Sequence, residues 1–361
     1  MTKNERLMNH ENIFRQQSFV FSSFLQNKNN MNKGTLVISL DYELMWGMFD
    51  VVSKDGYGRT NVANVPEAIE RMVALFQKYG VHATFATVGM LMYKDKDELI
   101  ADFPKDRPSY NKTTCSAYNG TIDSIQKDEE IQFFQPEVVQ ELKATEGIEI
   151  GTHTYCHYYC WEGGQTVEQF DADIRKACEV ASRNGIELKS IIFPRNQVSP
   201  EHLKICAKYG ITSYRGNAVK YFNEPQSKFE AYKNKICRLL DAYINIGGMS
   251  SVPYSEIDTE EEPKNLRASR MLRPYISKIA FLDGLRLRRM KTEMLHAARK
   301  GEMYHIWWHP HNFGANMDKN LAFLEELLKC YKECKEKYNM QSCTMTELAE
   351  QLFNNKNNHS Y

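Results

Sequence analysis

The chain has 361 residues, 46 basic and 46 acidic side chains and 42% hydrophobic residues, enough for one large α/β unit or two smaller domains. With no net charge it favours neither nucleic acid nor an anionic surface as partner, and no stretch approaches the roughly 18 consecutive apolar residues of an integral membrane segment. The start, MTKNERLMNHENIFRQQ, lacks the basic lead and apolar core of a secretory leader, and the nine cysteines are odd in number, so the expected setting is reducing and cytoplasmic.

In chain order, residues 1–33 are rich in Asn, Gln, Ser and Lys and end in QNKNNMNKG. They read as a flexible lead-in, with Met31, just ahead of the first strand, an alternative to Met1 as the natural start. GTLVISLDYE reads as a β-branched strand ending in acids, PEAIERMVALFQKYG as a helix opened by Pro and stopped by Gly, and VHATFATVG as a second strand. Residues 101–135 break this rhythm as a long insertion. IEIGTHT resumes as a strand, QTVEQFDADIRKACEVASRNG as a long helix, LKSIIFPRNQ as a strand, SPEHLKICAKYG as a capped helix and ITSYRGN as a strand. A second insertion spans 217–272, after which HAARKGEMYHIWWHPHNFG gives a helix end and a strongly apolar strand. Strand after helix after strand predicts a parallel sheet in a single unit over 34–355.

Polar residues suited to chemistry recur just past the strands: Asp41 and Glu43, His153 and His157, Arg195, Arg215, His309 and His311. The carboxyl ends of parallel strands open on one face, so these side chains are expected to converge there. Two apart on extended backbone, Asp41 and Glu43 point the same way and Tyr42 the other. Such a pair, taken alone, also suits a solvated strand end. HTYCH sets His153 and His157 four apart. Imidazole is the commonest metal ligand, and the pair plus one carboxylate makes a three-ligand site with an open position, as in catalytic rather than structural metal sites. A competing arrangement joins Cys156 and Cys160 to Cys330 and Cys334 as a closed four-sulfur zinc site. Neither pair has the two-residue gap usual there, so the cysteines read as reduced, packed side chains.

Taken in order, these stretches resemble the polysaccharide deacetylases of carbohydrate esterase family 4, the NodB-like enzymes, over roughly residues 34–350. SLDYE stands where that family has TFDDG, GVHATFATVG is similar to its second strand, and GTHTYCH is similar to its H-S/T-x-x-H motif. IIFPRNQ stands where R-x-P-Y belongs, and HIWWHP ends where the last motif has its histidine. The resemblance implies a distorted (β/α) barrel of about seven parallel strands. It also implies a metal-dependent hydrolase that removes an N-acetyl group from a sugar or glycan precursor. The implied cofactor is a divalent metal ion, zinc foremost, with cobalt, manganese or nickel as alternatives.

Carried over, Asp41 is the catalytic base, His153 and His157 are metal ligands, and Arg195 tethers Asp41. His309 is the general acid, with His311 its rival across Pro310. The family's second Asp falls on Tyr42; a Dx(D/E) variant uses the next acid, which makes Glu43 the third ligand, the residue that strand geometry also selects. Trp46, Arg215 and His311 are the expected substrate contacts. Without an export signal, the expected substrate is a cytoplasmic sugar-nucleotide-linked or lipid-linked intermediate of surface polysaccharide synthesis. One alternative keeps the fold and hydrolyses another small C–N amide, with the two insertions as a lid. The other is a non-catalytic carbohydrate-binding protein on a degenerate barrel, motivated by the departures from TFDDG and R-x-P-Y.

Overall fold

The computed structural model describes residues 33–218, 233, 234, 237, 240–258 and 260–357; the lead-in and part of the second insertion lie outside these. The first half runs β1 (Thr35–Tyr42), α1 (Val65–Tyr79), β2 (Ala83–Thr87), α2 (Lys96–Ala101), α3 (Pro136–Ala144), β3 (Ile148–Thr152), α4 (Val167–Arg183) and β4 (Ser190–Ile191). Then come α5 (Pro200–Lys208), β5 (Ser213–Tyr214), β6 (Lys264–Asn265), β7 (Arg270–Met271), α6 (Asp283–Lys300), β8 (Met303–Trp308), α7 (Met317–Tyr338), β9 (Gln341–Cys343) and α8 (Met345–Asn357).

All eight residues of β1 are buried, which is why TLVISLDY lacks clean alternation: a parallel strand covered on both faces has no solvent side. The sheet order is β6-β5-β4-β3-β2-β1-β8-β7, every pair parallel. One edge of β1 carries β8; the other is shared, β2 along Ser39–Tyr42 and β9 along Thr35–Val37. The result is a curled half-barrel of parallel strands surrounded by helices, the expected distorted (β/α) barrel. Two of its strands, β6 and β7, arise inside the segment read as an insertion, because two-residue strands carry no periodic signal.

The helices follow their terminal chemistry. In α1, Pro66 occupies the first turn, Gly80 closes the end at φ 61°, and Ala68, Ile69, Met72 and Phe76 face the core. Thr166 and Gln169 cap α4 reciprocally. The first insertion is partly core: Ile122, Ile125, Phe133 and Phe134 are buried, and the Tyr42 hydroxyl donates to Gln135 Oε1 at 2.5 Å. Among the described residues no helix is long and apolar enough to cross a membrane.

Candidate active site

The ends of β1, β3, β5 and β8 deliver the side chains that matter. Asp41 is the penultimate residue of β1, and Glu43 stands just beyond it, where the chain turns into a tight 3-10 helix, Leu44–Gly47. Glu43 folds back over Gly47 so closely that a Cβ there would lie 2.2 Å from its carboxyl carbon. Gly47 was not anticipated from the sequence, where nothing distinguishes it from other glycines after a strand.

Beyond β3, Thr154 (φ 65°) and His157 (φ 58°) take the left-handed conformation, which costs a non-glycine residue free energy and persists only where neighbours enforce it. Asp173 on α4 supplies the enforcement: buried, it accepts the backbone N–H groups of Tyr155 (2.8 Å) and Cys156 (3.1 Å). Burial pushes its carboxyl up to about 6, against the pull of those donors. Thr154 Oγ1 adds a third tie by accepting the Tyr158 N–H at 2.7 Å. The turn aims His153 and His157 at Glu43.

Glu43 Oε2 lies 3.0 Å from His157 Nε2 and 3.3 Å from His153 Nε2. Two ligands of a tetrahedral ion bound at about 2.1 Å sit about 3.4 Å apart, so the spacing suits three ligands of one ion. The protonation pattern also fits. His153 Nδ1 lies 2.8 Å from the Ile192 carbonyl, which only accepts, so Nδ1 carries the proton. In that neutral tautomer Nε2 is a bare lone pair, buried without a hydrogen-bond partner and facing a carboxylate. Two lone pairs so placed call for a cation between them. Burial raises the Glu43 carboxyl, but His309 and the hydrogen bonds from His157 and His311 hold it well below its usual value, while burial lowers His157. An anionic carboxylate with neutral imidazoles is the donor set a divalent ion requires. Glu43, His309 and His311 form a second group of adjacent ligand atoms. Among the described residues no cysteine joins such a group, and all the cysteines are free, so the four-sulfur arrangement is not formed.

Asp41 is held by Arg215, not by Arg195. Arg215 is fully buried and makes paired hydrogen bonds to Asp41, Nη1 to Oδ1 at 2.6 Å and Nη2 to Oδ2 at 2.8 Å. It also donates to Ser39 Oγ (3.2 Å) and Asn196 Oδ1 (3.1 Å), and its guanidinium lies 4.1 Å from the Trp307 ring centre. Below, His305 donates through Nδ1 to the Leu266 carbonyl (2.9 Å) and accepts the Ser39 hydroxyl at Nε2 (2.8 Å). Burial and then the charge of Arg215 drive His305 down to about 3, which keeps it neutral. Burial raises Asp41, but Arg215, with His309, leaves it below its usual value and so ionised.

Three expectations are therefore corrected. Arg195 and Asn196 both adopt positive φ, which turns Arg195 away to pair with Asp50 (2.5 Å) and Glu162 (3.5 Å) over the Tyr159 ring. Arg215, expected to meet substrate, is committed to Asp41. Trp46 is buried, its indole N–H donates to the Phe133 carbonyl at 2.7 Å, and Phe133 and Phe134 cover it edge-on, so no face is left for a substrate.

The two rival histidines differ in exposure and wiring. His311 is buried behind Glu43, its Nε2 3.2 Å from Oε1, which removes it from the substrate contacts expected of it. The Tyr57 hydroxyl, 2.8 Å from Nδ1, is kept protonated because burial raises that phenol to about 12. Tyr57 thus donates to Nδ1 and leaves Nε2–H to hold Glu43. No motif in the sequence pointed to Tyr57. His309 is partly open, 21% exposed, with Nε2 3.6 Å from both Asp41 Oδ2 and Glu43 Oε1. The Asn312 amide donates to its Nδ1 at 3.4 Å, which places the His309 proton on Nε2, toward the carboxylates. Burial lowers its basicity.

A curled parallel sheet with carboxylates and histidines gathered at its carboxyl end defines the class: a NodB-like deacetylase barrel. The polysaccharide deacetylase family model matches residues 45–214, so the family seen in the motifs is found again in that stretch, with Asp41, Glu43, Arg215, His309 and His311 outside it. A candidate polysaccharide deacetylase from Mycobacterium smegmatis is similar at TM-score 0.55 and 11% identity, over 90% of this chain and 92% of its own, and shows the same fold. A family 4 carbohydrate esterase from Streptomyces lividans, in complex with acetate, aligns at 11% identity and TM-score 0.36 over 86% of this chain and 91% of its own. No curated protein matches the sequence.

Proposed function

We propose that the protein is a metal-dependent carbohydrate N-deacetylase that hydrolyses the acetamide of a sugar or glycan precursor. One observation carries the reading: the bare Nε2 of His153 faces Glu43 beside a carboxylate, Asp41, kept ionised by Arg215. Glu43, His153 and His157 would hold a divalent ion, zinc by its affinity for this donor set. When bound, the ion supplies Lewis-acid polarisation of the amide carbonyl and acidification of water.

The chain's own residues do the proton work. Asp41 accepts a proton from the attacking water as the new C–O bond forms. His309, which acts as an acid only when both ring nitrogens carry protons, gives its Nε2 proton to the amide nitrogen as the C–N bond breaks and returns to the neutral ring, so acetate and a free amine leave. Arg215 keeps Asp41 oriented and unprotonated between turnovers, and His311 with Tyr57 steadies Glu43. The reading extends to a cytoplasmic step of surface polysaccharide metabolism, which cell fractionation tests.

The decisive experiment loads the purified protein with zinc, cobalt, manganese or nickel and measures acetate released from a broad panel of N-acetyl sugars. Release is expected, and Asp41→Asn is expected to reduce it about 10²–10⁴-fold, the usual worth of a positioned base. Silence across the panel with every metal would sink the reading.

A further inference from the structure

The absence of net charge hides a local asymmetry. Between Arg270 and Glu293 the chain carries seven basic residues against two acidic ones. Both acids are paired inside the fold, Asp283 with Arg286 at 2.9 Å and Glu293 with Arg270 at 2.6 Å. Lys278 and Arg288 are exposed, and among the described residues neither side chain has an ion-pair partner.

Apolar side chains lie between these two cations. The 3-10 turn that leads into α6, Ser277–Leu282, has the sequence SKIAFL and buries none of its residues. Phe281 is 81% exposed, and Ile276 and Leu285 flank it at 47% and 45%. Arg289, one turn beyond Leu285, ties down a neighbouring segment through the Gly248 carbonyl (2.6 Å) and Asp241 (3.5 Å), and that segment adds exposed Leu240, Ile244 and Ile246. Of the eleven large hydrophobics exposed among the described residues, six fall in these two short stretches, so the exposure is concentrated rather than scattered.

The patch stands at the rim of the catalytic face. The Tyr275 N–H donates to Asn320 Oδ1 (2.7 Å), the Asn320 amide donates to the Asn312 and Ala315 carbonyls (3.3 and 2.9 Å), and the Asn312 amide reaches His309 at 3.4 Å. What the cations would meet decides between occupants. A second copy packed about a two-fold axis would set Lys278 and Arg288 against the same patch, whose carboxylates, Asp241 and Asp283, are already paired. An anionic bilayer offers phosphates to the cations while the ring and branched chains enter its interfacial layer.

We propose that this surface docks on an anionic lipid bilayer as a peripheral anchor. Docking sets the strand end that carries His309 beside the lipid surface, which suits the lipid-linked member of the expected substrates. That consequence rests on the deacetylase reading; the docking does not.

Co-sedimentation of the full chain with vesicles of phosphatidylcholine alone, and of phosphatidylcholine mixed equally with phosphatidylglycerol, tests the proposal. Binding is expected to be roughly 25-fold tighter on the mixed vesicles, about five-fold for each of the two cations, and to weaken as salt screens them. Lys278→Ser combined with Arg288→Ser is expected to bring the two kinds of vesicle level. Phe281→Ser is expected to weaken binding to the mixed vesicles about ten-fold, the worth of one buried aromatic side chain. All three side chains are exposed, so the variants are expected to keep the wild-type far-ultraviolet dichroism. Equal binding of the wild type to both vesicles, or a preference that survives the variants, would overturn the proposal. Binding lost with the two cations but indifferent to Phe281→Ser would mark a charge-only contact, open to any acidic protein, and would overturn it too. So would a wild-type dimer in analytical ultracentrifugation that Phe281→Ser dissolves. Vesicle binding without acetate release would uphold the anchor and fail the deacetylase, and acetate release with no vesicle binding would do the reverse.

Discussion

Asp41 and Arg215 are both withheld from water, so each is tolerable only because of the other. Removing the guanidinium leaves a buried, unpaired carboxylate, a loss that typically costs about 3–5 kcal/mol. It also removes the main influence that opposes burial at Asp41, so the carboxyl titrates at higher pH. Asp41 works ionised; Arg215→Met is therefore expected to lower the melting temperature and to move the acid limb of the acetate-release profile upward. Arg195→Met uncovers Asp50, whose side chain is only 2% exposed, so it too should lower the melting temperature, but it does not touch Asp41 and should leave the acid limb in place. If the two variants shifted that limb alike, Arg215 would lose its assigned role. Gly47 carries a separate prediction. The Cβ of Gly47→Ala would collide with the Glu43 carboxylate, and displacing an oriented ligand typically costs 10–100-fold in metal affinity, which a competition titration against a chelator would read.

Elements act on the site by fixing the loops between them. Helix α4 holds the turn after β3 through the two oxygens of Asp173, and the sequence offered no hint of this because an Asp inside a long helix reads as a solvated face. Asn at that position keeps one acceptor and puts an N–H₂ against a backbone N–H. Asp173→Asn is thus expected to weaken zinc binding about ten-fold, measured by the same titration, with far-ultraviolet dichroism unchanged. At the opposite end of the sheet, His82, just before β2, lies 2.7 Å from Glu347 on α8. The hydrogen bond that His82 donates to Glu347 raises His82; burial raises Glu347, but His82 and the Thr344 backbone bring it below its usual value. Protonated His82 is favoured by folding, so its contribution is complete below its unfolded pKa of about 6.5 and is lost as pH rises through the higher folded value. The Glu347 contribution is present above about 4.5 and is lost on acidification through its lowered value. His82→Gln is expected to cost under about 1 kcal/mol, the pair being part-exposed, and to flatten the decline in stability that sets in above about pH 6.5, seen by denaturant titration.

For the whole molecule, what the sequence disclosed was what periodicity and strand ends encode. β1 and β8 were visible as buried apolar runs, and the residues just past β1, β3 and β8 do meet on one face as parallel topology requires. The choice between Arg195 and Arg215 was not visible, because it depends on the curl that carries Arg215, beyond β5, across the sheet to β1, and on left-handed backbone at Arg195 and Asn196. Trp46 was misplaced for a similar reason: the rings that cover it lie 87 positions on, in an insertion without period. The metal site is the sharpest case of long-range assembly, since Glu43 and His157 are 114 positions apart and meet only in the folded chain. An ion that binds the folded state alone stabilises it by RT ln(1 + [L]/Kd), about 2.7 kcal/mol at a hundred-fold excess over Kd. For a chain this size that corresponds to a rise of roughly 3–4 °C in melting temperature. Zinc is expected to give that increment in the wild type and in Arg195→Met, whose side chain stands outside the cluster, and a chelator to abolish it. Glu43→Gln and His153→Ala should melt at one temperature with or without zinc. A full increment in both ligand variants would place the ion away from the strand ends and detach the barrel's stability from its chemistry.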